Sequence, residues 1–206
     1  MLRSRSPGGS EGSVPLEFQT ESEGLPIAGF WMFLVTDLLI FASLFSVYAV
    51  YHFRTAGGPT EADIFHLGSA TAETLILLTS SFTVSLAIWF MRRDAWRPLH
   101  LALAVTVLLG AVFVGIEIRE FAADLAGGAA WTQSAFLSSF FVLVATHGTH
   151  VAIGILWALA LWLQAMWRGL TPVVRRKLFT FALYWHFLDI VWVFIFTYVY
   201  LAGRMG

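Results

Sequence analysis

The sequence predicts an all-α, polytopic membrane protein, a bundle of five transmembrane helices, and three observations predict it. Charged residues make up only 12 % of the 206-residue chain and hydrophobic residues 58 %, with a mean hydropathy of +0.76. A water-facing domain carries roughly 25 % charged residues, so lipid must solvate much of this exterior. Five stretches are also apolar enough, over about 20 residues each, to cross the hydrocarbon core of a bilayer. Finally, the basic residues segregate to alternate loops, as the positive-inside rule requires of a spanning chain.

The first span covers residues 28–51 and holds one charge, Asp37. The second, residues 74–91, holds none. The third begins after Pro98 and is charge-free over residues 101–116 before it meets Glu117, Arg119 and Glu120. The fourth lies within the charge-free stretch 125–167 and is expected from Ala135 onward. That stretch exceeds one span, so a tilted or projecting helix is expected. The fifth covers residues 178–203, with Asp189 its one charge. Arg3, Arg5, Arg92, Arg93, Arg97, Arg168, Arg175, Arg176 and Lys177 fall on one side, and only Arg54, Arg119 and Arg204 on the other. This split predicts a cytoplasmic N-terminus and a C-terminus on the outer side of the membrane.

Residues 1–26 are rich in Gly, Ser, Pro and Glu. Such a stretch cannot bury enough surface to offset its ordering entropy. It is expected to be a mobile cytoplasmic segment ahead of a membrane domain over 27–206. No apolar core follows Arg3 and Arg5, so it does not read as a signal peptide. The net charge of −1 gives no sign of a nucleic-acid partner. With no cysteine, disulfides, iron–sulfur clusters and thiolate metal sites are excluded. No internal repeat is visible, which weighs against a transporter built from inverted repeats.

Ionisable groups at membrane depth are costly, and each calls for an account. At a rise of 1.5 Å per residue, Asp37 lies roughly 14 Å inside the first span, and His186 and Asp189 roughly 12 and 17 Å inside the fifth. His147 and His150 enter from the opposite side to roughly 18 and 23 Å. The five share one layer around the midplane, where they can pair between helices. His147 and His150 are three apart, as are His186 and Asp189, so each pair shares a helix face. A carboxylate placed so can hold one histidine tautomer. Three readings stand: a hydrogen-bonded layer that locks packing, a haem or metal site on facing helices, and a group that relays protons. Glu73, Glu117, Glu120 and Arg119 fall near the outer ends of their spans, where a ring of interfacial salt bridges with Arg54 is expected. Gly110 and Gly115 in the third span, and Gly148 and Gly154 in the fourth, suit close helix contact.

Short motifs take the reading further. Tyr184-Trp185-His186-Phe187-Leu188-Asp189-Ile190-Val191-Trp192 resembles the YWHFxDxVW signature of subunit III of haem–copper terminal oxidases. Thr146-His147-Gly148-Thr149-His150-Val151, followed by Gly154, is similar to that family's HGxHVxxG, with Thr149 where the family usually has Leu. Phe30-Trp31 followed by Asp37, and later Glu120-Phe121, resemble two further family features in the family's order. Five spans match the short form of the family. Thr55-Ala56-Gly57-Gly58-Pro59-Thr60, Asp63-Ile64-Phe65, Gly169-Leu170-Thr171 and Phe187-Leu188-Asp189 look like the cytochrome o ubiquinol oxidase branch.

The resemblance implies a non-catalytic subunit with no catalytic, metal or cofactor-binding residue of its own. Haem and copper are then expected in subunit I, where oxygen is reduced and protons are pumped. The implied partners are subunit I, with subunits II and IV, and phospholipids held in a cleft between helices. Subunit III of a cytochrome c oxidase or of a denitrification complex is the nearest alternative. A stand-alone membrane transporter is the alternative of another class.

Overall fold

The fold, a computed structural model, is described for residues 21–52, 67–128, 132 and 134–201, with 21–26 and 67 described by backbone alone. Residues 1–20, Arg54, the loop motifs over 55–65 and Arg204 lie outside the described residues. Five helices follow one another: α1 (Glu21–Tyr51), α2 (Leu67–Arg92), α3 (Trp96–Ala126), α4 (Ala135–Arg168) and α5 (Pro172–Ile195). A π-helical turn, Phe196–Leu201, continues α5. Each helix is long and apolar enough to span a bilayer.

The helices outrun the apolar stretches that announce them, because hydropathy marks the part in hydrocarbon and not where backbone hydrogen bonding stops. α1 starts at Glu21, within the segment for which no structure is expected. α2 starts at Leu67, so Glu73 lies well inside the helix. α3 starts at Trp96 and takes Pro98 into its first turn, where the missing N–H has no intrahelical acceptor to lose. The 34 residues of α4 span about 51 Å at helical rise, well beyond a hydrocarbon core of about 30 Å. The Ser134 hydroxyl caps its start by accepting from Leu137 N at 3.1 Å. Gly169, at φ 70, ends it in a conformation that Cβ-bearing residues rarely adopt. Thr171 caps α5 by accepting from Val174 N at 3.3 Å, with Pro172 in the first helical position.

α2 and α3 run along each other, α3 packs on α4, α4 on α5, and α5 closes back on α2. α1 sits outside this ring against α4 and, over fewer residues, α5. Two indoles of α5, two turns apart, plug the ring. Trp185 is buried between Gly110 of α3 and Gly154 of α4, and its Nε1 donates to Ser80 Oγ of α2 at 3.1 Å. Trp192, with no exposed surface, donates from Nε1 to Thr74 Oγ1 of α2 at 3.0 Å. Its ring meets Phe113 edge-on at 4.7 Å. A hydroxyl pair, Thr83 and Thr106 at 2.8 Å, joins α2 to α3.

At the end that carries the basic loops, Arg175 of α5 grips the α2–α3 turn. It donates to Met91 O at 2.7 Å, to Leu170 O at 3.1 Å, and to the Asp94 carboxylate in an ion pair. Asp94 holds a left-handed backbone, φ 54. The same end joins α3 to α4 through Trp162 Nε1 and His100 Nδ1 at 2.7 Å.

The expected role of the small residues holds at three glycines and not at the fourth. Gly115 faces outward with nothing within 4 Å of where a Cβ would stand. A Cβ on Gly110 or Gly154 would stand 2.9 Å from the Trp185 ring. Gly110→Ala and Gly154→Ala should therefore each lower stability, by on the order of 1–3 kcal/mol, with Gly115→Ala neutral. Thermal unfolding of the detergent-purified chain checks this, and equal transitions for all three variants would contradict the packing.

Candidate functional site

The intramembrane polar layer divides among three places in the bundle. The first is the contact of α1 with α4. Asp37 is 4 % exposed, and its Oδ1 lies 3.1 Å from His150 Nε2. The other ring nitrogen, His150 Nδ1, stands 2.7 Å from the Thr146 carbonyl. A carbonyl only accepts, so Nδ1 carries a hydrogen. A bare Nε2 against a carboxylate would set lone pair against lone pair. One proton therefore lies between them, as imidazolium with carboxylate or as neutral ring with carboxylic acid. Either way the unit is neutral overall, the form of a carboxyl group that a bilayer tolerates. Tyr184 of α5 donates to His150 O at 3.0 Å, and Phe41 covers the imidazole with ring centroids 5.3 Å apart. The second carboxyl oxygen, Oδ2, is buried without a partner.

The second place is the centre of the ring. His147 has no exposed surface, and its Nε2 lies 3.2 Å from Leu188 O of α5. The acceptor again fixes the tautomer: Nε2 donates and the unpartnered Nδ1 keeps its lone pair. Phe113 and Trp192 enclose the ring at centroid distances of 5.7 and 5.1 Å. His147 thus bonds backbone, while His150, one turn on, binds the acid. Their shared face is divided between two tasks.

The third place is the seam between α2 and α5. His186 Nδ1 lies 2.6 Å from Ser81 Oγ, and Nε2 lies 3.3 Å from Ser85 Oγ. The partners of His186 are thus two serines of a neighbouring helix, not Asp189 on its own. Asp189 lies beside Ser81 and His186, half-buried, and its Oδ1 has no partner. Sequence reasoning missed the serines. Their i, i+4 spacing in an otherwise apolar span was the available signal.

The outer acidic residues do not form the expected salt-bridge ring among the described residues. Glu73 and Glu117 turn inward, 1 and 5 % exposed, and each has an unpartnered Oε1. The Glu117 carboxyl fills the slot left by Gly148 of α4, where any Cβ would collide with it. Glu120 accepts from Ser69 Oγ, and all three acids lie within electrostatic reach of one another. Arg119 is exposed because its position is about 200° around the helix from Glu117. Among the described residues no group of three or more His, Cys, Asp or Glu is arranged to hold a metal ion.

The Asp37–His150 unit makes a testable demand on stability. His150→Ala strands a buried acid and should cost about 1–3 kcal/mol or more. Asp37→Asn should cost less, since its carboxamide N–H can donate to Nε2. A double-mutant cycle on Asp37→Leu and His150→Leu, followed by unfolding in detergent, should show favourable coupling; strict additivity would dissolve the pair.

Comparison with known proteins places this arrangement. Residues 17–204 match the model of the family described as cytochrome c oxidase subunit III. The chain is 47 % identical over 194 residues to quinol oxidase subunit 3 of Bacillus subtilis, covering 94 % of this chain and 95 % of the relative. It is 48 % identical over 185 residues to cytochrome bo(3) ubiquinol oxidase subunit 3 of Pseudomonas aeruginosa, covering 90 % and 88 %. Cytochrome c oxidase subunit 3 of Bacillus sp. PS3 is 46 % identical over 178 residues, 86 % of each chain. With the family's histidine and acid motifs meeting inside one five-helix bundle, the chain belongs to the cytochrome c oxidase subunit III family, the membrane-embedded accessory subunits of haem–copper oxidases.

Proposed function

We propose that this chain is the non-catalytic subunit III of a proton-pumping terminal oxidase that takes electrons from ubiquinol. It packs against subunit I, which holds the haems and copper, in a complex with subunits II and IV. The observation that carries this reading is the near end-to-end match to relatives named as quinol oxidase subunits. The match over 178 residues to a relative named as a cytochrome c oxidase subunit keeps cytochrome c as the second reading for the electron donor. The chain binds no cofactor of its own: its intramembrane histidines face a carboxyl, a carbonyl and two hydroxyls.

Two roles follow from the geometry. Apolar hollows of ≈ 380 and ≈ 310 Å³ flank the start of α4, one toward α3 and one toward α1, sharing Ser138 and Val142. Hollows so lined suit phospholipid acyl chains. The proton held between Asp37 and His150 is the second, in a unit that tunes proton uptake without being essential to it. The N-terminus is cytoplasmic and the C-terminus periplasmic, from the distribution of basic residues.

The deciding experiment is purification of the native complex in mild detergent. A multi-span, haem-containing subunit should accompany this chain, and the complex should consume oxygen with ubiquinol and not with reduced cytochrome c; the reverse preference selects the second reading. Flux through liposomes holding this chain alone would point to a transporter instead. Reporter fusions at Gly58 and Gly206 should both report the periplasmic side, and a cytoplasmic signal from either overturns the orientation. Asp37→Asn should assemble normally and lose turnover only as external pH rises and protons become scarce. Loss of activity at every pH with assembly intact would refute a tuning role.

A further inference from the structure

At the end of the bundle opposite the basic loops, three carboxyls of α2 and α3 converge. At helical rise, Glu73 and Glu120 lie about 9 Å from that end of their helices and Glu117 about 14 Å. Glu73 is 1 % and Glu117 5 % exposed, and each keeps an Oε1 that is buried without a partner. The charges that act on Glu73 are those of Glu120 and Glu117, and on Glu117 that of Glu120. α4 meets the cluster with Gly148, whose missing side chain leaves the slot that the Glu117 carboxyl fills. The π-helical turn after α5 brings Tyr200, itself 4 % exposed, within electrostatic reach of all three acids and of Asp124.

Glu120 differs from the other two. It is half-buried, accepts from Ser69 Oγ, and lines an outward hollow of ≈ 290 Å³ with Ile116, Arg119, Ala123 and Asp124. The charged rim of that hollow suits water better than lipid. Behind it, an ionised Glu73 or Glu117 would be a buried charge with an empty acceptor, and ionising both would add repulsion at low dielectric. A proton removes both costs, since a carboxylic acid is neutral and carries its own donor hydrogen. A metal ion would need more ligands: among the described residues no group of three or more His, Cys, Asp or Glu is arranged to hold one.

We propose that Glu73 and Glu117 form a buried proton-binding site, loaded at neutral pH, and that Glu120 exchanges its protons with the outer hollow. The loaded site is neutral, and the one negative charge of the cluster rests on Glu120, where Ser69 donates to it. Arg119, Asp124 and Tyr200 are the other titratable groups facing the cluster. The site is separate from the Asp37–His150 proton, which lies on the contact of α1 with α4. It is a property of this chain's own residues and does not depend on the electron donor of the complex.

Infrared difference spectroscopy of the full chain in lipid bilayers tests this, because a protonated carboxyl has a C=O stretching band that an ionised one lacks. At neutral pH, Glu73→Gln and Glu117→Gln should each lose one carboxyl's worth of that band, and Glu120→Gln should leave it in place. In the unaltered chain the same intensity should vanish reversibly as the pH is raised into the alkaline range. A band that neither Glu73→Gln nor Glu117→Gln diminishes overturns the site, for those acids are then ionised at neutral pH. A band that both diminish but that alkali does not remove overturns exchange and leaves a fixed structural proton. After a rapid jump to alkaline pH, Glu120→Gln should slow the loss of the band several-fold; an unchanged rate removes Glu120 from the route. The natural absence of cysteine allows a check on the hollow itself. Ala123→Cys should react with a membrane-impermeant maleimide, and Leu108→Cys, exposed on the outside of α3 in mid-span, should not. An unreactive Ala123→Cys overturns the aqueous route.

Discussion

In hydrocarbon, apolar side chains gain nothing by leaving lipid for protein, so five apolar helices need another reason to hold one arrangement. Here that reason is the pair of indoles on α5. Trp185 and Trp192 each carry an N–H that lipid cannot satisfy, and each finds a hydroxyl on α2, Ser80 or Thr74. Bringing those groups together fixes the distance and rotation of α2 against α5. The rings then reach across the bundle, and they fit only because α3 and α4 offer Gly110 and Gly154 on either side of Trp185. One donor–acceptor pair per indole thereby sets the positions of four helices. The Arg175 grip on the α2–α3 turn fastens the same helices at one end.

The polar groups that remain follow from that frame. With α5 fixed, Leu188 O faces His147 Nε2, and the Tyr184 hydroxyl reaches the backbone of α4 at His150. His150 is thereby held where Asp37 of α1 can meet it, and the neutral pair lets a carboxyl and an imidazole sit together at depth. His147 and His150 each find a partner on another helix, while Asp37 Oδ2, His147 Nδ1 and the Oε1 atoms of Glu73 and Glu117 stay buried without one. Asp189 Oδ1 joins them in the seam between α2 and α5.

Much of this was legible in the residues. Apolar stretches located the five spans, and helical rise put Asp37, His147, His150, His186 and Asp189 at one depth, close enough to the truth for Asp37 and His150 to be candidates as partners. What could not be read was rotation. A membrane helix is apolar on the side facing lipid and on the side facing its neighbours, so periodicity gives little guide to which flank points inward. The two histidines of α4 look equivalent in sequence, yet one bonds backbone and the other an acid. The same ambiguity hid Ser81 and Ser85, which read as ordinary small residues until α5 set His186 against them. Glu117 looked interfacial because it follows the apolar run, whereas the missing side chain at Gly148 draws its carboxyl into the bundle. Hydropathy also understated the helices, since α2 begins well before its apolar run and α3 continues well past its own.

The placement of α1 has a consequence for how the chain is made. Its principal partners are α4 and α5, which leave the ribosome last, so the first helix synthesised is the last whose docking surface exists. Until then α1 waits in the membrane, its backbone satisfied internally but Asp37 without the imidazole that neutralises it. Emergence of His150 ends that wait, and closure of α1 onto the ring becomes a late step of biogenesis gated by two side chains 113 positions apart in the chain.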